Sequence, residues 1–420
     1  MTQLPDDFIR QTRDTMGDDR FERFLQALDE ESPVSIRVRV ESSSLSSLNS
    51  QQVPWCPYGF YLSTRPAFTF DPLLHAGCYY VQEASSMFLY EVLRQHLPAE
   101  PLAMLDLCAA PGGKSTLIRS VLSDESLLVS NEPVRPRHQI LLENVTKWGG
   151  KNHLVTNNLP ADFRKAHALF DAILCDVPCS GEGMFRKDAG AVAEWSLRNV
   201  ERCQQLQREI VGEAWQCLRE GGILIYSTCT FNILENEANI RWMQEELGAE
   251  VLPVETQPEW GITGSLLKGF DQPVYRFIPG FTRGEGLFMA VVRKKSLTTR
   301  SLTPRSLTPS PSPKGEGSGH TRLLKALKGL KLYTPLSFRR GVGGEASLFL
   351  PYPTAIAYLR GEAIVLPPDV PRGLVTVGFM GQPLGQVKNI GNRANNLYPK
   401  EWRIKSTHVP KEYEPIITLE

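Results

Sequence analysis

Apolar and polar positions change rhythm several times along the chain. Between residues 7 and 29, Phe8, Phe21, Phe24, Leu25 and Leu28 recur at helical spacing among charges, which predicts a helix. Residues 35–40 (SIRVRV) alternate as a strand does. Residues 53–75 carry four prolines, at 54, 57, 66 and 72, and read as loop-rich. From 102 onward, short apolar runs alternate with longer helical patterns. The runs are AMLDLCA at 103–109, LLVS at 127–130, HLVT at 153–156, FDAILCDVP at 170–178, GGILIYSTCT at 221–230 and LFMAVVRK at 287–294. Helices are expected at 115–121, 136–148, about 194–219 and 233–246. Such alternation predicts an α/β fold, a mostly parallel sheet with helices on both faces. Beyond 347 the pattern breaks into short strands at 363–366, 374–379 and 385–388, separated by Gly and Pro turns.

Composition alters this picture at one place. Lys+Arg and Asp+Glu are both 46, so the net charge is zero and a wholly basic nucleic-acid binder is excluded. Residues 296–345, however, hold nine Lys/Arg against two Glu, a net of +7. The stretch opens with the near-repeat SLTTR-SLTPR-SLTPS and is dominated by Ser, Thr, Pro and Gly, so it reads as a disordered linker or insertion. Residues 323–332 (LLKALKGLKL) have a basic amphipathic pattern, but the surrounding composition favours disorder there as well. Deleting the segment is expected to leave cofactor affinity unchanged. No run of about 18 apolar residues predicts a membrane span, and the charged N-terminus is not a secretory signal. The eight cysteines show no CxxC spacing, so they read as reduced thiols of a cytoplasmic protein, with no metal site.

Three strand ends carry chemistry. After 103–109 comes Pro111-Gly112-Gly113-Lys114, a Gly-rich turn into a helix whose free N–H groups face a ligand. It is neither GxGxxG nor GxxxxGK[ST], so a phosphate loop is not supported. Glu132 ends the next strand, where a carboxylate suits two ribose hydroxyls. Together these point to an adenosine-containing cofactor without a pyrophosphate. Asp176-Val-Pro178-Cys179-Ser-Gly181-Glu-Gly183 ends the fourth strand, and Ser227-Thr228-Cys229-Thr230 ends the fifth. A lone cysteine at a strand end is ordinarily a core residue. Two of them on neighbouring parallel strands, one behind Asp-x-Pro, would meet at the same sheet edge.

PGGK, DVPCSGEG and STCTF, in this order, resemble the Nop/Sun family of S-adenosylmethionine-dependent RNA (cytosine-5) methyltransferases. Residues 77–87 (GCYYVQEASSM) resemble the segment leading into that family's cofactor strand. The resemblance covers about 30–294. The overall layout is similar to the family's bacterial RsmF group, which modifies 16S ribosomal RNA and carries an extra C-terminal RNA-binding region. The resemblance implies a Rossmann-like methyltransferase sheet, S-adenosylmethionine as cofactor and RNA as partner, either 16S ribosomal RNA or transfer RNA.

It also implies roles for residues. Cys229 would be the nucleophile at cytosine C6, and Cys179 would assist release of the product. Asp176 would lie at both cofactor and base, and Lys187 is a candidate for favouring the thiolate. Cys108, Ala109, Ala110, Pro111, Gly112, Gly113 and Lys114 would hold the methionine portion, and Glu132 the ribose. The family has a further acidic residue near the adenine. An ungapped count reaches Asn158 here, a departure, with Asp162 the nearest carboxylate. The tail resembles a PUA-like domain, and its Lys388, Arg393, Lys400, Trp402 and Arg403, with Tyr398, suit phosphate contacts and base stacking.

The expected regions are an N-terminal α+β RNA-binding part (1–75), the methyltransferase domain (76–295), the basic linker (296–346) and the PUA-like tail (347–420), in a monomer. Two rival classes are a non-catalytic ribosome-assembly factor of the same fold and a DNA cytosine methyltransferase. Retention of both cysteines argues against the first, and the use of the Pro-Cys thiol as nucleophile by DNA enzymes argues against the second.

Overall fold

The computed structural model describes residues 4–39, 51–296, 319–335, 348–406, 408–410 and 413–417. The disorder expected at 297–318 and 336–346 falls on residues outside this set. Two helices open the chain, α1 (Asp6–Met16) and α2 (Asp18–Asp29). The single helix expected over 7–29 is broken because Gly17, at φ 77°, takes a conformation open to glycine. The break lets Phe8, Phe21 and Phe24 all turn inward. They pack on Phe185, Trp195 and Phe231 of the catalytic region, with Phe8–Phe185 and Phe24–Phe231 ring centroids each 4.9 Å apart.

Next come β1 (Val34–Val38), β2 (Gln51–Gln52), β3 (Gly59–Leu62), the short α3 (Pro72–His75) and β4 (Tyr79–Val81). They form an antiparallel sheet in the order β2-β3-β1-β4. The stretch expected to be loop therefore contains a strand and a helical turn, built on buried Val53, Trp55 and Tyr61. Arg37 of β1 is buried, donates to Gln82 Oε1 (2.7 Å) and Thr116 Oγ1 (2.6 Å), and stacks on Trp148. It ties this sheet to the catalytic one.

The catalytic region runs α4 (Leu89–His96), β5 (Ala103–Asp106), α5 (Gly113–Val121), β6 (Leu127–Asn131), α6 (Arg135–Trp148), β7 (His153–Thr156) and α7 (Pro160–Lys165). It continues with β8 (Phe170–Asp176), α8 (Ala189–Glu194), α9 (Leu197–Gln216), β9 (Leu218–Thr228), α10 (Glu237–Leu247), β10 (Glu250–Leu252), β11 (Tyr275–Phe277) and β12 (Leu287–Arg293). The sheet order is β10-β12-β9-β8-β5-β6-β7, with β11 paired to β12. β9 through β7 are parallel, and β12 and β10 antiparallel. Strands covered on both faces explain the unbroken apolar runs. Two buried clusters, one on each face, are the core.

One expectation is overturned. Residues 319–335 are ordered parts of this sheet: α11 (Gly319–Leu327) leads to β13 (Leu332–Tyr333), which pairs antiparallel with β7. Leu323 and Leu327, one helical turn apart, are buried in the catalytic core. The basic side chains of the same stretch face solvent, so a composition typical of disorder conceals an apolar stripe.

The tail comprises β14 (Leu348–Phe349), α12 (Tyr352–Leu359), β15 (Gly373–Phe379), β16 (Gln382–Asn389) and β17 (Ala394–Asn396), in sheet order β14-β15-β16-β17. α12 was not expected, and residues 363–366 are not a strand: Ile364 alone bridges to Ala394. The tail shares one core with the N-terminal sheet, where Ile36, Leu73, Ile356 and Val377 meet, and Tyr413 donates to Asp71 Oδ1 (2.9 Å). Among the described residues no helix is long and apolar enough to cross a membrane.

Docking of α11 has a measurable consequence. Leu327→Ala leaves a cavity in the catalytic core and is expected to cost about 2–4 kcal/mol in urea unfolding. A loss below about 0.5 kcal/mol, the range of exposed positions, would contradict the docking.

Candidate active site

The site lies where β8 and β9 end side by side. Their parallel register puts Asp176 opposite Ser227, and Val177 N–H donates to Ser227 O (3.1 Å). Three residues beyond Asp176 is Cys179, and two beyond Ser227 is Cys229. Their sulfurs are 3.1 Å apart although fifty positions separate them in sequence. The loop after β8 folds back over Cys229, and Gly183 N–H donates to Cys229 O (2.8 Å). A Cβ at Gly183 would stand 2.8 Å from that oxygen and 3.3 Å from Glu285 O, so only glycine permits this approach.

Asp176 is held from two sides. Ser227 Oγ donates to its Oδ1 (2.5 Å), and Lys114 Nζ, from the first turn of α5, donates to Oδ2 (2.8 Å). Burial works against the Lys114 ammonium, but Asp176, then Cys229 and Asp106, more than offset it and hold its pKa above the usual lysine value. The Cys179 thiol is pushed well up, first by its hydrogen bond with Cys229 and then by burial. Lys187 sits elsewhere: it is partly exposed and its Nζ is 3.5 Å from Glu285 Oε1. Lys114, not Lys187, is the lysine bonded to Asp176.

Beneath the thiols is a buried polar network that sequence reasoning missed. Glu182 accepts from Phe231 N–H (2.6 Å), Asn232 N–H (3.0 Å) and Trp195 Nε1–H (3.0 Å). Glu235 accepts from Ser180 N–H (3.0 Å), Gln207 Nε2 (2.6 Å) and Asn232 Nδ2 (2.8 Å). Ser180 follows Cys179, and Phe231 lies two residues past Cys229, so the network grips both cysteine loops. Burial, reinforced by Glu182, pushes the Glu235 carboxyl up to about 7. The sequence signal was faint: Asn232, Glu235 and Asn236 are polar residues just after a catalytic strand, in a stretch that otherwise reads as an exposed helix start.

On the other side of Asp176 lies a cavity of about 170 Å³, lined by Tyr80, Gln82, Glu83, Ser86, Asp106, Cys108–Pro111, Gly113, Lys114 and Asp176. Gly112, at φ 116°, makes the turn that starts α5. Asp106 is buried, bonded to Ser115 through Oδ2 and unpartnered at Oδ1, and burial pushes it up to about 7. Glu132 at the end of β6 is also buried. Its Oε1 accepts from Val134 N–H, while Oε2 has no hydrogen-bond partner, with Arg137 3.6 Å away. A buried carboxylate oxygen without a hydrogen bond is costly unless a ligand hydroxyl supplies a donor. The site thus fits an adenosine-bearing ligand. Asn158, expected at the adenine, has its side-chain amide engaged by the backbone of Lys331. Among the described residues no cluster of three or more His, Cys, Asp or Glu could hold a metal.

The tail residues scatter. Lys388, Arg393 and Lys400 are exposed. Trp402 is half-buried, edge-on to Tyr398 and beneath Lys147 of α6 at 5.7 Å. Tyr398 is buried in the core shared with the N-terminal sheet, so it packs and does not stack on bases. Arg403 lies against Gly361, with its Nε buried.

A parallel doubly wound sheet with an acidic second strand end and a ligand cavity at the first turn is the fold class of the S-adenosylmethionine-dependent methyltransferases. Residues 95–293 match the family model of the 16S rRNA methyltransferase RsmB/F, residues 4–84 that of the N-terminal domain of 16S rRNA methyltransferase RsmF, and residues 346–404 that of the methyltransferase RsmF PUA domain. The chain belongs to the RsmF family. It is 33% identical over 308 residues to ribosomal RNA small subunit methyltransferase F of Pectobacterium atrosepticum, covering 69% of this chain and 63% of that one. The Photobacterium profundum protein of the same name is 32% identical over 70% of this chain and 64% of its own. The chain thus spans just under two thirds of these relatives. The Escherichia coli O157:H7 protein of that name aligns at 29% identity over 95% of this chain and 96% of its own. Among solved structures, NSun6 from Pyrococcus horikoshii shares the fold (TM-score 0.59, 20% identity, 70% of this chain and 99% of that one). A methyltransferase homolog from the same organism gives 0.58 at 25% identity, over 70% and 96%.

The Glu235 carboxyl gives a pH test. Its folded pKa, about 7, lies above the ordinary 4.5, so the folded state holds this proton more tightly than the unfolded one. Stability from this group is full below pH 4.5 and falls as pH rises towards 7. Glu235→Gln is therefore expected to gain on wild type between pH 5 and pH 8, by up to about 3 kcal/mol. Equal pH slopes in thermal unfolding would contradict it.

Proposed function

We propose that the protein is an RNA cytosine-5 methyltransferase acting on 16S ribosomal RNA through a covalent cysteine–cytosine intermediate. The observation that carries this reading is the pair of thiols, 3.1 Å apart at adjacent strand ends and next to Asp176. A single thiol would serve as a nucleophile; a second one, held protonated beside it, suits a reaction whose adduct must also be undone.

Cytosine C5 is a weak nucleophile. The Cys229 thiolate adds to C6, and the C5–C6 double-bond electrons become available at C5. Asp176, steadied by Ser227 and Lys114, holds the cytosine edge through a shared proton. S-adenosylmethionine, when bound, supplies the methyl group to C5 from its sulfonium. Loss of the C5 proton to solvent then returns the electron pair to C5–C6 and breaks the C6–S bond. Cys179 gives its S–H proton to the departing sulfur and frees the enzyme. The proton then passes back from Cys229 to Cys179, which restores the starting pair, and the Lys114 ammonium supports the Cys229 thiolate before attack. Residues Cys108–Lys114 would hold the methionine portion, and Glu132 Oε2 the ribose. The target base must be unpaired or flipped for its C6 to reach Cys229. The exposed Lys388, Arg393 and Lys400 of the tail would contact phosphate, a salt-dependent contribution. The choice of 16S RNA over transfer RNA rests on the names carried by the relatives.

The two thiols are separable. With unmodified small-subunit RNA and radiolabelled S-adenosylmethionine, Cys179→Ser is expected to accumulate a labelled protein–RNA adduct on a denaturing gel. Cys229→Ser is expected to form none and to transfer no label. Exchange of these behaviours would make Cys179 the nucleophile, as in DNA enzymes. Absence of transfer by wild type to ribosomal or transfer RNA would favour a non-catalytic assembly factor.

A further inference from the structure

We propose that β13, acting through the backbone of Lys331, is a positioning element for the adenine and ribose side of the cofactor site. The inference rests on the reading of Glu132 as the ribose contact.

β7 would be the last strand of the parallel sheet without it. Ligands in such sheets lie beyond the carboxyl ends of the strands, here the loops after β6 and β7. Those loops are short and polar, and Lys331 sits against the second of them, on the side of β7 away from β6. Asn158 donates from Nδ2 to Lys331 O (3.2 Å) and accepts at Oδ1 from Lys331 N–H (3.1 Å). Its own backbone is gripped by Asn131, which accepts its N–H at Oδ1 (3.0 Å) and donates to its C=O (3.0 Å). The reciprocal pair with Lys331 fixes which end of the Asn158 amide is donor and which is acceptor. One N–H and one lone pair remain, at a set orientation.

The same carbonyl reaches further. Asn157 N–H donates to Lys331 O (3.3 Å), and Asn157 Nδ2 donates to Glu132 O (2.7 Å) and Pro133 O (3.0 Å). Lys331 is therefore linked through one residue to the main chain that carries Glu132, whose Oε2 has no hydrogen-bond partner. Two anchors hold Lys331 in place. Leu323 and Leu327 are sunk in the core before it, and the Tyr333 ring lies 4.6 Å from that of His138 after it. His138 is on α6, which starts three residues beyond Glu132. All the contacts of Lys331 named here are made by its backbone, and its side chain is exposed.

The test measures the dissociation constant of S-adenosylhomocysteine by calorimetry on full-length protein. Lys331→Pro, which removes the N–H, is expected to weaken binding roughly tenfold. Lys331→Ala, which keeps the backbone groups, is expected to stay within about twofold, inside the ordinary range of exposed substitutions. Asn158→Ala is expected to weaken binding roughly tenfold, and the double variant Lys331→Pro/Asn158→Ala no further, because the two act as a unit. In steady state the KM for S-adenosylmethionine should rise while that for RNA does not. Wild-type affinity in Lys331→Pro, or additive losses in the double variant, would overturn the inference. Should Lys331→Pro not fold, wild-type affinity in Asn158→Ala overturns it alone. Glu132→Ala separates the underlying assumption: if it binds as wild type, the ribose reading itself fails, whatever Lys331 does.

Discussion

Parallel pairing of β8 with β9 is the constraint on which the site depends. It is a backbone interaction, with Asp176 registered against Ser227, and neither cysteine takes part in it. Once those strands are in register, their two exit loops have to share one sheet edge. The thiols meet because each loop leaves at the same height. The core on both faces secures that register, since a slip of one residue would drive buried side chains such as Leu174 and Ile225 towards the opposite face. Stability of the sheet and geometry of the chemistry are thus the same property seen at two ends of the strands.

The polar network under the loops converts a strand-end meeting into a defined geometry. Glu182 and Glu235 use carboxylate oxygens to hold main-chain N–H groups of both cysteine loops, while Gly183 allows the loops to touch. Buried carboxyls are costly to keep ionised, and here each lies among several donors. The arrangement places the cost of burial next to the thiols, where rigidity matters most. From below, Phe24 and Phe8 of the N-terminal helices press on Phe231 and Phe185, so the first helices of the chain support the catalytic loops directly.

Much of this was legible in the residue pattern. The apolar runs at 127–130 and 153–156 became strands within a residue of their expected limits, because strands buried on both faces need no alternation to be seen. The convergence of Cys179 and Cys229 followed from topology alone. Other parts were hidden for physical reasons. Leu323 and Leu327 form too short a stripe to stand out among Ser, Pro and Lys, and only docking on β7 gives them a core. Lys187 is nearer in sequence to Cys179, but the chain turns it to Glu285, and Lys114 arrives from a different strand end. Tyr398 looks like a stacking platform in a basic stretch; burial in the core shared with the N-terminal sheet makes it a packing residue. Gly17 sits inside an unbroken helical periodicity, which carries no record of its positive φ.

The central claim is that paired thiols at adjacent strand ends serve methyl transfer to cytosine C5. The most direct measurement is mass-spectrometric nucleoside analysis of unmodified small-subunit RNA after incubation with the protein and S-adenosylmethionine. The account predicts 5-methylcytidine from wild type and none from Cys229→Ala. A different methylated nucleoside, or 5-methylcytidine formed by Cys229→Ala, would contradict it.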